Sequence, residues 1–382
     1  VIGILGEYDA LPGMSQAAVP YEKSATEGAP GQACGHHLFG TASVAAAIAV
    51  KNWLRESGAP GTIRFYGTPA EEGGSGKVYM VRAGLFRDVD AVVSWHASDA
   101  NTANPGTNLA TISGKFRFSG LSAHAAAAPQ RGRSALDGVE AMNDMVNMLR
   151  EHTTEPTRIH YVITDGGNAP NIVPKSAEVY YVVRHEDVDE VRSVWDRVVL
   201  AARGAALGTE TQMEYEIIGG TYPRLPNETL AGALHANLSI VGGVDYSDEE
   251  KDFARKIQAT LGEKLPAIES AGQVQPMKFT RGKASADTGD VSYNVPMAAM
   301  RAATWVPGTP AHSWQAVAAG GMGIGYKGMM VAAKTLALSA IDLLTEPELL
   351  AQARAEFDER LGPDFHYEAL LGDREPALDY RK

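Results

Sequence analysis

A change of rhythm between the first and middle thirds of the 382-residue chain constrains its fold more than any other feature. The first third alternates short apolar runs with helical patterns: a strand over 1–6, a helix rich in small residues over 41–54, a strand over 63–67, a short helix over 76–83 and a strand over 91–95. Such alternation signals a sheet with helices on both faces. The middle third reads differently, as strand 111–120, helix 134–152, strands 158–164 and 177–184, helix 188–206 and strand 212–218. That is the split βαβ order of a ferredoxin-like unit, which can close its own sheet. From 223 the pattern predicts helices over 228–241 and 248–261, a Gly/Pro-rich stretch over 282–310, helices over 328–344 and 346–361, and a loosely held charged tail beyond Gly362. The simplest path returns this segment to the first sheet. The expectation is therefore an α/β domain built from 1–111 and 223–382, interrupted at 112–222 by an inserted ferredoxin-like α+β domain.

A chain of this length with 45% apolar residues can bury a core without disulfide or metal staples, so any metal site calls for a functional reason. The net charge of −12 comes without acidic runs and argues against a nucleic-acid partner. Cys34 is the single cysteine, which excludes an intrachain disulfide framework. The opening Val1-Ile2-Gly3-Ile4-Leu5 has no charged flank, and neither a signal peptide nor a membrane span is expected. Cytoplasmic location is the default, and the missing initiator Met points to a shortened N-terminus.

Several donor side chains fall where apolar strands end, the place where ligands gather in open α/β sheets. Cys34-Gly35-His36-His37 precedes the helix at Thr41. A thiolate and an imidazole two residues apart can hold one metal or bridge two, and a buried cysteine beside a capping histidine reads the same way. Glu71-Glu72 follows the second strand within a Gly-rich loop. One carboxylate could ligate a metal while the other deprotonates water, or the pair is simply solvated. His96 closes the strand over 91–95, and His312 sits in the rigid Pro307-Gly308-Thr309-Pro310 loop. Together Cys34, His36, Glu72, His96 and His312 offer more donors than one tetrahedral site needs, which points to two metals sharing a bridge. His124 either polarises a carbonyl or caps a loop, and Arg184 either pairs with a substrate carboxylate or is an exposed strand-end charge. The run Gly320-Gly321-Met322-Gly323-Ile324-Gly325 is no dinucleotide loop, because no strand leads into it and no acidic residue follows at the right distance.

These stretches have a family likeness. Gly6-Glu7-Tyr8-Asp9-Ala10-Leu11-Pro12, Ala33-Cys34-Gly35-His36-His37, Pro69-Ala70-Glu71-Glu72-Gly73, Ser122-Ala123-His124, Gly166-Gly167-Asn168-Ala169-Pro170-Asn171 and Pro307-Gly308-Thr309-Pro310-Ala311-His312 occur in one order along nearly the whole chain. The chain resembles the aminoacylase-like metallopeptidases and amidohydrolases, above all their p-aminobenzoyl-glutamate hydrolase B-type branch. The resemblance implies a mixed-sheet metallo-hydrolase catalytic domain with a lid that serves dimerisation, two divalent metals (zinc or manganese), and a homodimer or a pairing with a related subunit. It implies Cys34, His36, Glu72, His96 and His312 as metal ligands, Glu71 as general base, His124 at the oxyanion, and Asn171, Arg184 and Gly308 as substrate contacts. It also implies hydrolysis of the amide bond of a small N-acyl or N-aroyl amino acid such as aminobenzoyl-glutamate. A dipeptidase or aminopeptidase of the same fold, or a non-catalytic regulatory subunit, are the alternatives. His37 stands where many relatives carry Asp; Glu7 stands where relatives carry an acidic or histidine residue, so either Asp9 supports the ligands from behind or Glu7 is an extra ligand.

Overall fold

The computed structural model describes residues 1–262 and 264–378. The first third forms β1 (Ile2–Glu7), α1 (His36–Ser57), β2 (Ile63–Thr68), α2 (Gly76–Arg82) and β3 (Ala91–Ser98). The middle adds β4 (Gly106–Thr107), β5 (Ala110–Ser119), α3 (Ala135–Leu149), β6 (Arg158–Asp165), β7 (Ser176–His185), α4 (Val188–Gly208) and β8 (Gln212–Thr221). The remainder supplies α5 (Glu228–Val241), α6 (Asp248–Gln258), β9 (Thr280–Arg281), α7 (Thr288–Ser292), β10 (Met297–Ala303), α8 (Trp314–Gly320), α9 (Gly323–Thr345) and α10 (Pro347–Leu361).

The first sheet has the order β10-β3-β1-β2, and every pairing in it is parallel. Strands buried on both faces need continuous apolar runs, and β1 and β3 supply them. One face packs Ile4, Val93, Trp95 and Met300 against Leu38, Ala42 and Ala46 of α1 and against α5 and α9. The other packs Leu5, Val92 and Met297 against Val81 of α2 and Val291 of α7. Helix α9 is long and apolar enough to cross a membrane by composition alone, but more than half of it is buried inside this core.

The second sheet is antiparallel, in the order β6-β7-β5-β8. Its inward residues Phe116, Val179, Tyr181 and Val183 pack on Val139 and Met142 of α3 and on Val194 and Val198 of α4. Ser134 and Asp187 cap these helices by accepting hydrogen bonds from first-turn amides. Strand β6 lies at the sheet's edge, with Tyr161, Val162 and Ile163 exposed.

Three expectations need correction. The first long helix starts at His36 rather than Thr41, so His36 and His37 belong to its first turn. Gly35 takes φ +78° there, and a Cβ on it would lie 2.5 Å from the Ala97 side chain, so only glycine serves. A seven-residue strand, β10, lies within the Gly/Pro-rich stretch. The tail is not loose over its described part, 363–378, and 379–382 lie outside the described residues: Leu370 and Leu371 are buried, and the Tyr367 hydroxyl donates to Asp290 Oδ1 at 2.7 Å.

Candidate metal centre and active site

Parallel strands deliver their side chains to one edge, and the loops after β1, β2 and β3 all open there. His96 lies near the end of β3. Its Nδ1–H donates to the Ala97 carbonyl at 2.8 Å, which leaves Nε2 facing Cys34 Sγ at 3.5 Å. Close helix packing supplies the next donor. A Cβ on Gly40 would lie 2.9 Å from the Glu7 carbonyl, so glycine lets α1 ride directly on β1 and brings His36 against Glu7.

His36 is fully buried between two carboxylates, with Nδ1 3.0 Å from Asp9 Oδ1 and Nε2 3.0 Å from Glu7 Oε2. Asp9 also accepts the Glu72 N–H on its other oxygen at 2.9 Å, so one carboxylate ties the helix start to the acidic loop. Glu72 Oε1 lies 3.3 Å from His312 Nε2, and the His312 backbone N–H donates to the Ala33 carbonyl at 3.0 Å. Ala70, Ser75 and His312 all have positive φ, between 53° and 59°, although none is glycine. Backbone strain of this kind persists where the surroundings over-determine a site.

Three groups of donor atoms converge to within 4.8 Å: Cys34 with His36 and His96; Cys34 with Glu72 and His312; and Glu7 with His36 and Glu71. All five residues expected as ligands are thus brought together, and Cys34 belongs to two of the groups. Burial alone raises the Cys34 thiol, but His96, His312 and His36 outweigh it and hold it at about 5. Burial, then the charges of Glu7 and Asp287, push Glu71 up to about 9. The Cys34 and Glu72 beside it raise His312 to about 10. His36 Nε2 and Glu7 Oε2 are buried and face each other without hydrogen-bond geometry. Sulfur, imidazole and carboxylate donors, each oriented by a second contact, fit a divalent cation.

The remaining expected residues lie outside these donor groups. His124 is exposed, and its Nδ1 accepts from the Ala126 and Ala127 amides, which leaves the proton on Nε2. Asn171 is its neighbour and accepts the Ala125 N–H through its carbonyl. Arg184 sits on β7 opposite Thr111 of β5. None of the three makes a hydrogen bond or ion pair with the donors among the described residues. Gly308 has φ +91° and donates its N–H to Asp99 Oδ2, shaping the loop that carries His312. His37 turns away, with Nε2 3.1 Å from the Gly320 carbonyl. The glycine run after Gly320 joins α8 to α9, and no strand enters it.

Sequence reasoning missed Lys77 and Asp287. Lys77 is fully buried, with Nζ 2.7 Å from both Glu7 Oε1 and Asp287 Oδ1. The one signal was a lysine ahead of the apolar Val78-Tyr79-Met80-Val81 run, five residues after Glu72.

Comparison with known proteins identifies the family. Residues 3–275 match peptidase family M20/M25/M40. The chain is 44% identical to a p-aminobenzoyl-glutamate hydrolase subunit of Escherichia coli (strain K12), over 93% of this chain and 80% of that one. It is 30% identical to the Xaa-Arg dipeptidase of Mus musculus, over 93% of this chain and 73% of that one. Among solved structures, the aminobenzoyl-glutamate utilization protein from Klebsiella pneumoniae shares the fold with a TM-score of 0.59 at 20% identity, covering 89% of this chain and 70% of that one.

Proposed function

Because the chain belongs to peptidase family M20/M25/M40 and is a metal-dependent amidohydrolase or peptidase, we propose that it cleaves the amide of a small N-acyl or N-aroyl amino acid, of the aminobenzoyl-glutamate type named in its 44%-identical relative. The observation that carries the proposal is the place of Cys34 in two donor groups at once. Cys34, His36 and His96 hold one cation, and Cys34, Glu72 and His312 hold a second. Bound there, zinc or manganese supplies Lewis acidity that brings the pKa of water down to about 7.

The chain's own residues do the rest. Glu71 stands outside both Cys34-centred groups, yet lies within 4.8 Å of His36 through its carboxylate. Burial and the neighbouring carboxylates raise Glu71 to about 9, and cations held beside it would favour its carboxylate form, in which Glu71 accepts a proton from water and returns it to the departing amine. His124 presents Nε2–H as a donor for the carbonyl oxygen as negative charge develops on it. Its position at the second sheet requires closure of that sheet or delivery from a second copy of the chain. We favour a homodimer, because the β6 edge leaves strand hydrogen-bonding groups and Tyr161, Val162 and Ile163 open. Asn171, Arg184 and Gly308 complete the substrate pocket. A sole thiol committed to metal suits the reducing cytoplasm.

The test combines metal analysis with a substrate panel. Protein loaded with zinc or manganese binds two equivalents and releases 4-aminobenzoate from N-(4-aminobenzoyl)-glutamate. Cleavage of free-amine dipeptides with no turnover of N-blocked amino acids would overturn the substrate class, and absence of metal binding would overturn the mechanism.

A further inference from the structure

The chain leaving β8 places Arg224 beside the β4 segment. Its backbone N–H donates to Asn108 Oδ1 at 2.6 Å and its Nε–H donates to the Gly106 carbonyl at 3.2 Å, which fixes the half-buried guanidinium from one side. Arg301 approaches from β10. It pairs in register with His96 on the parallel neighbour β3, so the two Cα atoms are about one strand spacing apart, ~4.8 Å, and both side chains leave the same face of the sheet. Thr102 exchanges backbone hydrogen bonds with Arg301 on its other side.

Neither arginine has a carboxylate partner among the described residues. The chain has 46 acidic against 34 basic residues, so carboxylates to pair with were not scarce. Burial, and then the Arg301 charge nearby, pull Arg224 down to about 10. A half-buried Arg224 beside a second cation is unfavourable until an anion joins them.

We propose that Arg224 and Arg301 form a subsite, one strand from His96, for a second carboxylate of the substrate, so that the enzyme selects amides of acidic amino acids over those with neutral side chains. Paired guanidinium forks match carboxylate oxygens in a way that a neutral amide cannot reproduce. The inference rests on the amide-hydrolase reading above and adds the residues that read the second carboxylate.

Kinetics on the metal-loaded full chain compare N-(4-aminobenzoyl)-glutamate with N-(4-aminobenzoyl)-glutamine. The wild type prefers the glutamate amide, and Arg301→Gln, at an exposed position that tolerates exchange, cuts that preference at least roughly tenfold through KM. Arg224→Gln acts in the same direction. Titration with glutarate reads the anion site without turnover, and either variant weakens binding by a similar factor. A wild type without preference, or a variant that loses both amides equally and still binds glutarate, overturns the subsite. If neither amide is cleaved yet glutarate binding depends on the arginines, the subsite stands and the hydrolase reading fails.

Discussion

Lys77 Nζ lies 2.7 Å from Oε1 of Glu7, and both side chains are sealed from solvent. Asp287 holds the same ammonium at 2.7 Å and also accepts the Lys77 backbone N–H. Burial disfavours a charged lysine, but Asp287 and Glu7 more than offset it and raise Lys77 above its ordinary range. With one Glu7 oxygen occupied, the other is left facing His36 Nε2. The ammonium therefore sets the carboxylate that sets the imidazole.

Lys77→Met should be severely destabilising, because it strands Glu7 and Asp287 as uncompensated buried acids. Breaking a buried pair from one side costs about 3–5 kcal/mol. Replacing all three at once, with Glu7→Gln and Asp287→Asn added, should recover most of the loss. Urea unfolding of the single and triple variants checks this, and a single variant as stable as wild type would contradict it.

Glu71→Gln separates base from ligand. Loss of a general base should lower kcat by roughly 10²–10⁴-fold while bound metal stays at the wild-type level. A fall of one metal equivalent in this variant would instead make Glu71 a ligand, which its nearness to Glu7 and His36 allows.

The site was more legible in the sequence than its supports. His96 could be placed because an apolar run, Ala91-Val92-Val93-Ser94-Trp95, ends on it, and such a run declares a buried strand. The start of α1 was misplaced because Gly35 reads as a turn, whereas its left-handed conformation launches the helix at once. β10 was hidden because Met297-Ala298-Ala299-Met300-Arg301-Ala302-Ala303 has no β-branched residue and becomes a strand only by pairing with β3. The tail looked polar, but Leu370 completes the core of the second sheet. The bond between Lys77 and Asp287 spans 210 positions, and no local pattern encodes it.

Asp290 predicts how stability changes with pH. Its carboxyl accepts from the Tyr367 hydroxyl at 2.7 Å and the Tyr222 amide at 3.0 Å, yet burial dominates and raises it from 3.8 to about 7. The folded state therefore binds this proton more tightly than the unfolded chain. The resulting stability is fully present below pH 3.8 and is lost as pH rises through about 7. Asp290→Asn can keep both contacts without the charge, with its carbonyl accepting from Tyr222 and its amide donating to Tyr367. At pH 8 it should be more stable than wild type by on the order of 2–4 kcal/mol, with the gain shrinking toward pH 5. Thermal melts across that range give the answer, and a gain independent of pH would refute the assignment.

The sharing of Cys34 between donor groups predicts an asymmetry among ligand variants. His312 belongs to one Cys34-centred group, together with Glu72, and leaves the set of Cys34, His36 and His96 intact. His312→Ala should therefore keep close to one metal equivalent. Cys34→Ala removes a donor from both groups together and withdraws a thiol that three imidazoles hold near 5, so it is a thiolate at neutral pH. Its metal content should fall below that of His312→Ala. Metal that binds only the folded state stabilises it by about 2.7 kcal/mol at a hundredfold excess over Kd. Added zinc or manganese should then raise the melting temperature most in wild type, less in His312→Ala and least in Cys34→Ala. Equal metal content in the two variants would mean that the thiol serves one cation alone, and the shared-bridge arrangement would have to be abandoned.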